Sequence, residues 1–382
     1  MKPSLVELRR KSSAKWTVYD PDVIPAWVAD MDFELAPPIR AALDAQIARG
    51  DLGYPPMYER SGLAEIFCAR AAARYDWRVE AQQLEFFSDV VQAIYLCLMS
   101  LTGPGDGVVI QTPIYPPFLH AVAETGRRGI TCALQPGRDR YEIDFDALDA
   151  AAAGARMLLL CHPHNPTGRA YTRTELEGIA AIVLRHDLLV VSDEIHADLM
   201  LDDRRHVAFA SLSPAIAART VTLTAASKAF NIAGLCLACG VFGSPALRQR
   251  FASIPGHVRG GRSALGMAAA AAAWRDGDAW LAGTLDILRA NRATIAAHVA
   301  REWPGVRHFA PEATYLAWLD CRGLDLGEEA FRFFLREARV ALSEGPSFGK
   351  EGEGFVRINF GTTPAIVDEV LARMSAALAK RG

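Results

Sequence analysis

Residues 222–230 read TLTAASKAF: a strand-like run of Thr222, Leu223, Thr224, Ala225 and Ala226, then Ser227 and Lys228, with no acidic residue adjoining the lysine. A lysine is ordinarily a solvated cation, and the end of a buried strand is a poor place for one unless the amine is neutralised or used. The rest of the chain says which.

Outward from this stretch, short apolar runs alternate with helical ones. LEFF (84–87) is followed by a helix over 90–101, GVVIQ (107–111) by a helix from 115, and ARMLLLC (155–161) by a helix over 172–186. LLVVSDE (188–194), TVTLTA (220–225) and CLACGVF (236–242) continue the series. Apolar strands separated by crossover helices predict an α/β fold with a mostly parallel sheet. After the Ala-rich helix of SALGMAAAAAAW (263–274) and a long helix over 278–302, two strands, TYLAWLD (314–320) and GFVRINF (354–360), and helices over 326–337 and 364–380 predict a smaller α+β domain. The expected division is an amino-terminal arm over 1–40, associated with the small domain and the active site, a large domain over 41–284 and a small domain over 285–382.

Composition narrows the classes of function. The 382 residues are 51% hydrophobic, enough for a large core, with a formal charge of −3 and acids and bases mixed along the chain. That excludes the electrostatic footprint of a nucleic-acid binder. The seven scattered cysteines are expected to be reduced core thiols of a cytoplasmic protein. Cys236 and Cys239 spell C-L-A-C, but residues three apart on a strand face opposite ways, so no redox or zinc pair is expected. The amino-terminal segment lacks the apolar core of a signal peptide and no run approaches a membrane span, so no membrane contact is expected.

In open parallel sheets ligands bind beyond the carboxyl ends of the strands, so the polar residues that end apolar runs are the candidates. MLLLC leads into His162-Pro163-His164-Asn165-Pro166-Thr167-Gly168, LLVVS into Asp193-Glu194-Ile195-His196, VTLTAA into Ser227-Lys228, and EFF into Ser88-Asp89-Val90-Val91. Each has a plain structural reading. Asn-Pro-Thr-Gly is a turn, Asp193 is a helix cap, and His162 and His164 are loop histidines without an acidic partner for a metal. GPGDG (103–107) precedes its strand and is a turn, not a dinucleotide fingerprint. Three independent caps, however, would rarely place an Asn, an Asp and a Lys on three strands of one sheet.

Together HNPTG, SDEIHADL and ASKAFNIAGL, about thirty residues apart, resemble the fold type I pyridoxal-phosphate enzymes of the aspartate aminotransferase superfamily. KWTVYDPDVIPAWVADMDF (15–33), IYPPF (114–118) and HPHNPTGR (162–169) are similar to its MalY/PatB branch, the cystathionine β-lyase or C–S lyase type, and the likeness extends to VRINFG (356–361). The resemblance implies a mostly parallel seven-stranded sheet with a smaller carboxyl-terminal domain, a pyridoxal 5′-phosphate cofactor and a homodimer with shared active sites.

The implied roles follow the motifs. Lys228 bonds the cofactor aldehyde, and burial pushes its amine toward the neutral, nucleophilic form, helped by the lack of a nearby acid. Asp193 faces the pyridine nitrogen; at ~4 Å and an effective dielectric near 20 a carboxylate contributes about 4 kcal/mol, or about three pKa units, toward a cationic ring. Asn165 donates to the phenolic oxygen, and His196 stands where transaminases carry a tyrosine. Tyr115 stacks on the ring and touches the substrate, a catalytic residue alongside Lys228, unless it merely packs before Pro116-Pro117. The phosphate is expected at the backbone of Val90 and Val91 with Ser227, and Tyr54 of LGYPP reaches it from the neighbouring subunit. Arg357 clamps the substrate α-carboxylate, the rival reading being a buried structural ion pair. Trp27, Asp30 and Phe33 border the pocket.

Two departures stand out. Cys236 replaces an arginine that transaminases carry eight residues past the lysine, and Asp89 replaces a glycine beside the phosphate, where a carboxylate would repel it unless turned away. The implied reaction is α,β-elimination from an S-substituted L-cysteine, with Lys228 as general base, giving thiol, pyruvate and ammonia. The rivals are an aminotransferase, a decarboxylating or deaminating enzyme acting on a cysteine conjugate, and a protein that binds a transcriptional regulator.

Overall fold

The computed structural model describes residues 3–56 and 60–381. Fourteen strands are numbered here in chain order: β1 (Ile24–Ala26), β2 (Leu84–Phe87), β3 (Gly107–Thr112), β4 (Arg128–Ala133), β5 (Gln135–Pro136), β6 (Tyr141–Glu142) and β7 (Ala155–Cys161). They continue as β8 (Leu189–Asp193), β9 (Thr220–Thr224), β10 (Ala238–Phe242), β11 (Arg307–His308), β12 (Leu316–Asp320), β13 (Val340–Glu344) and β14 (Phe355–Asn359).

Seven of them form one sheet in the order β2-β10-β9-β8-β7-β3-β4, in which β10 alone runs antiparallel to its neighbours. β7, β8 and β9 are buried nearly end to end, because helices cover both faces. β4 is the exception. It is an edge strand, half exposed, with no apolar run to betray it. The helices between strands fall where the apolar periodicity placed them, among them Val90–Leu101, Pro116–Glu124 and Arg173–Arg185. The last starts at a Thr172/Glu175 capping box that satisfies two otherwise orphaned donors.

A second sheet has the order β1-β13-β14-β12-β11. Its first strand comes from the amino-terminal arm: Ile24, Pro25 and Ala26 lie parallel to Val340, Ala341 and Leu342. The arm is thus fixed by backbone hydrogen bonds to the sheet of the carboxyl-terminal part. Position 285 falls inside the unbroken helix Asp278–Glu302, which carries the chain from one sheet to the other with Leu281, Leu285, Leu288, Ile295 and Val299 buried. Residues 326–337, expected as one helix, instead make a short α-turn, Ala330–Phe333, followed by a π-helical turn, Phe334–Ala338.

Both shapes expected from the sequence are present: the mostly parallel seven-stranded sheet and a smaller α+β part. The carboxyl ends of β2, β3, β7, β8 and β9 share one edge of the large sheet, and the arm and the second sheet close over it.

Candidate active site

A cleft of about 380 Å³ opens at that edge. Trp27, Tyr115, Asn165, Asp193, His196, Ser227, Lys228 and Arg357 all line it, as do Val90 and Val91. Residues from six strand ends and loops, with Arg357 from the middle of β14, therefore meet in one place, spanning positions 27 to 357.

Asp193 ends β8 and is almost wholly buried. Its Oδ1 accepts from the Ile195 backbone N–H at 3.0 Å. No cation pairs with it among the described residues, so burial pushes the carboxyl up to about 7, Glu194 adding to the effect and Ile195 and Lys228 opposing it.

Lys228 lies four residues past β9, and its Nζ donates to the Ala29 carbonyl at 2.9 Å. Burial lowers its pKa, with Arg357 assisting. The sequence reading requires a correction here: acids are near, since Asp30 and Asp193 both favour the charged amine. They are remote in sequence, and burial outweighs them.

Arg357 sits in the middle of β14, opposite Ser343 of β13 and Trp318 of β12. Arg357 is 4% exposed, and its guanidinium donates to Asn165 Oδ1 at 2.8 Å, the Trp27 carbonyl at 3.0 Å and Ser343 Oγ at 3.0 Å. It lies over the Phe348 ring, 4.9 Å from its centroid. All three acceptors are neutral, and no carboxylate is paired with Arg357 among the described residues. Burial accordingly pulls it down to about 10. The structural-ion-pair reading has no partner to rest on.

Asn165, at the tip of the loop after β7, spends its Oδ1 on Arg357, which leaves its amide N–H groups for a ligand. His196 is buried with Nδ1 unpartnered, and burial drives it down to about 3, so it is a neutral imidazole. Tyr115 starts the helix Pro116–Glu124 and its backbone N–H binds the Asn165 carbonyl at 3.1 Å.

At the other end of the cleft Asp89 caps the helix Val90–Leu101. Its carboxylate accepts from the Gln92 N–H at 2.8 Å, so it is turned back onto its own helix. The Val90 and Val91 N–H groups belong to the first turn and have no intrahelical acceptor, a ready anion site.

Several expected residues lie elsewhere. Tyr54 is fully exposed and outside the cleft. Asp30 is not on the cleft wall; its backbone carbonyl takes Lys15 Nζ at 3.0 Å and Asn359 Nδ2 at 2.7 Å. Phe33 is buried in the core under the arm because its apolar ring packs there, away from the pocket. His162 and His164 are loop residues with protein partners, His162 taking the Tyr171 N–H at 3.3 Å and His164 meeting Thr167 Oγ1 at 2.9 Å. Gly168 has φ +69°, and a Cβ there would fall 2.2 Å from that of Pro311, so the Asn-Pro-Thr-Gly turn also needs its glycine. Cys239 is buried in β10, whereas Cys236, expected on the same strand, is exposed and ends the short turn Ala233–Leu235 before it with φ +52°.

Sequence reasoning missed Ser343 and the carbonyl of Ala29. Ser343 sits in a strand that carries no long apolar run, and a backbone carbonyl leaves no signal in a sequence at all.

Known proteins resemble this chain over nearly its whole length. Cystathionine beta-lyase PatB of Bacillus subtilis (strain 168) is 36% identical over 361 residues, covering 94% of this chain and 93% of that protein. The solved structure of OvoB has a TM-score of 0.92 at 40% identity and covers 97% of both chains. Cystalysin from Treponema denticola, whose crystal structure contains a pyridoxal 5′-phosphate cofactor, has a TM-score of 0.94 at 31% identity over 100% of this chain and 98% of its own. Residues 28–374 match the aminotransferase class I and II family, and the chain belongs to that family.

Proposed function

We propose that this protein is a pyridoxal-phosphate-dependent carbon–sulfur β-lyase that acts on an S-substituted L-cysteine. The observation that carries the reading is Arg357: a buried guanidinium with three neutral acceptors and no counter-ion among the described residues, in the same cleft as the partly buried Lys228. A buried charge without a partner costs several kcal/mol, and a ligand carboxylate would supply the missing one. PatB, a cystathionine beta-lyase, and cystalysin, which contains the cofactor, point to the same class.

The residues present fit pyridoxal phosphate. Lys228 offers the aldehyde an amine whose pKa burial lowers, and Asp193 offers the ring nitrogen a buried carboxyl with no cation paired to it among the described residues. Asn165 has N–H groups free for the phenolic oxygen, and Val90 and Val91 present backbone N–H groups to the phosphate, with Ser227 beside them. Bound there, the cofactor withdraws electrons from the α-carbon of an amino acid.

Arg357 would hold the substrate carboxylate through the Nη2 donors it now gives to Trp27 and Ser343 while keeping its bond to Asn165, fixing the α-carbon next to Lys228. Lys228, once free of the aldehyde, would take the α-proton; burial lowers its pKa and so favours the neutral amine that a base requires. Tyr115 and Trp27 would wall the cleft against water. Tyr54, exposed in a single chain, would reach the phosphate of a second copy, making a homodimer. No described helix is long and apolar enough to cross a membrane, and we place the protein in the cytoplasm, where its free thiols stay reduced.

Incubation of the purified protein with S-substituted cysteines, without a keto-acid acceptor, tests the reading. Release of thiol, pyruvate and ammonia supports the lyase; amino transfer only when an acceptor is added would assign an aminotransferase instead.

A further inference from the structure

Tyr315 immediately precedes β12 and is 1% exposed. A buried phenol needs a hydrogen-bond partner. Its hydroxyl donates at 2.9 Å to the Ala29 carbonyl, the oxygen that also accepts Lys228 Nζ at 2.9 Å. Tyr315 is not on the cleft wall; it reaches the site through that oxygen and through its edge contact with the His196 ring, 6.3 Å between centroids at 80°, and its phenol also lies within electrostatic reach of Asp30 and Arg357.

The carbonyl cannot drift to follow the lysine, because the backbone around it is pinned residue by residue. Trp27 O accepts from Ser343 Oγ at 2.6 Å, Val28 O from Asn359 Nδ2 at 2.5 Å, and Asp30 O from Lys15 Nζ at 3.0 Å. Met31 exchanges two bonds with the Asn231 side chain, at 2.9 and 2.8 Å. A carbonyl oxygen has two lone pairs, and here one serves the tyrosine and the other the lysine.

We propose that Tyr315 is a positioning residue for Lys228: hydroxyl and amine share the Ala29 oxygen, and the tyrosine sets where the unbound amine stands and how firmly its charged form is held. The proposal rests on the lyase reading for the lysine's role as a base. A carbonyl that already accepts from a phenol is a weaker acceptor for an ammonium, so the hydroxyl favours the neutral amine. The other groups facing Lys228 are Asp30 from the arm and Asp193 from β8, which favour its charge, Arg357 from β14, which opposes it, and the neutral His196.

The experiment compares wild type with Tyr315→Phe. In the cofactor-free protein, the pH dependence of Lys228 modification by an amine-acylating reagent, read by mass spectrometry, should move upward by roughly half a unit to one unit. In the loaded enzyme, kcat should fall by roughly 5- to 20-fold with KM nearly unchanged and a larger isotope effect for α-deuterated substrate. A lower Tm with an unmoved lysine titration and isotope effect would mean that Tyr315 only packs, and would overturn the proposal. If Tyr315→Phe does not fold, 3-fluorotyrosine at 315, a stronger donor, should move the titration downward, and no movement overturns it equally. A wild-type protein that never takes up pyridoxal phosphate would sink the lyase reading, while the acylation titration would still decide the place of Tyr315.

Discussion

Arg357 Nη1 donates to Asn165 Oδ1 at 2.8 Å. One residue lies on the central strand of the small sheet, the other on the loop after β7 of the large one, 192 positions away in sequence. The group proposed to grip the substrate carboxylate therefore also orients the amide proposed to face the cofactor, and the two tasks are coupled.

Arg357→Ala should lower kcat/KM for α-carboxylated amino acids on the order of 10²-fold, about 2–4 kcal/mol, mostly through KM. Because the pair shares a hydrogen bond, combining it with Asn165→Ala should cost less than the sum of the two single changes, and a double-mutant cycle on kcat/KM measures the difference. Unchanged kinetics in Arg357→Ala would return the arginine to a purely structural role.

Lys228→Ala should abolish covalent capture of pyridoxal phosphate. Borohydride reduction and mass spectrometry of the reconstituted protein should find the added mass on Lys228 in wild type and nowhere in the variant. An adduct on another lysine would contradict the assignment.

The Asp193 carboxyl, raised by burial to about 7 from 3.8, predicts a pH dependence of stability in the cofactor-free protein. Between those values the folded state holds a proton that the unfolded chain has released, so stability falls as pH rises from about 4 through 7. Neutral buried histidines such as His196 act the other way as pH falls below about 6.5, so the informative quantity is a difference. Relative to wild type, Asp193→Asn should gain on the order of 3 kcal/mol across that window, measured by urea unfolding at several pH values. Parallel curves for the two proteins would show that Asp193 is ionised without cost. Cofactor binding should flatten the wild-type curve, since a cationic ring holds the carboxylate charged.

Asp89 caps its helix through the Gln92 N–H, but it still places a negative charge on the cleft wall near the proposed phosphate site. Asp89→Asn keeps the capping oxygen and removes the charge. Affinity for pyridoxal phosphate should rise by roughly 3- to 10-fold, about 1 kcal/mol at a partly solvated distance, as read by equilibrium dialysis. Weaker binding would mean that the carboxylate contributes to the site.

Much of the large sheet was legible in the chain itself. Strands buried on both faces leave continuous apolar runs, as in MLLLC and LLVVS, and the polar residues that end them, Asn165, Asp193 and Lys228, mark where the sheet opens. The edge strand β4 left no such run because half its surface meets solvent. The π-helical turn at Phe334–Ala338 left none either, since its apolar spacing resembles that of a regular helix.

What the sequence alone determined is the fold class and the identity of the groups at the strand ends, because burial and periodicity are local and are written residue by residue. Only the tertiary structure decided what surrounds them. The Ala29 carbonyl under Lys228 comes from 199 positions away, the Trp27 carbonyl on Arg357 from 330, and the acids that bear on Lys228 are contributed by other elements. Such contacts depend on how the arm and the second sheet pack over the first, a property of the assembled chain that no short stretch of it contains.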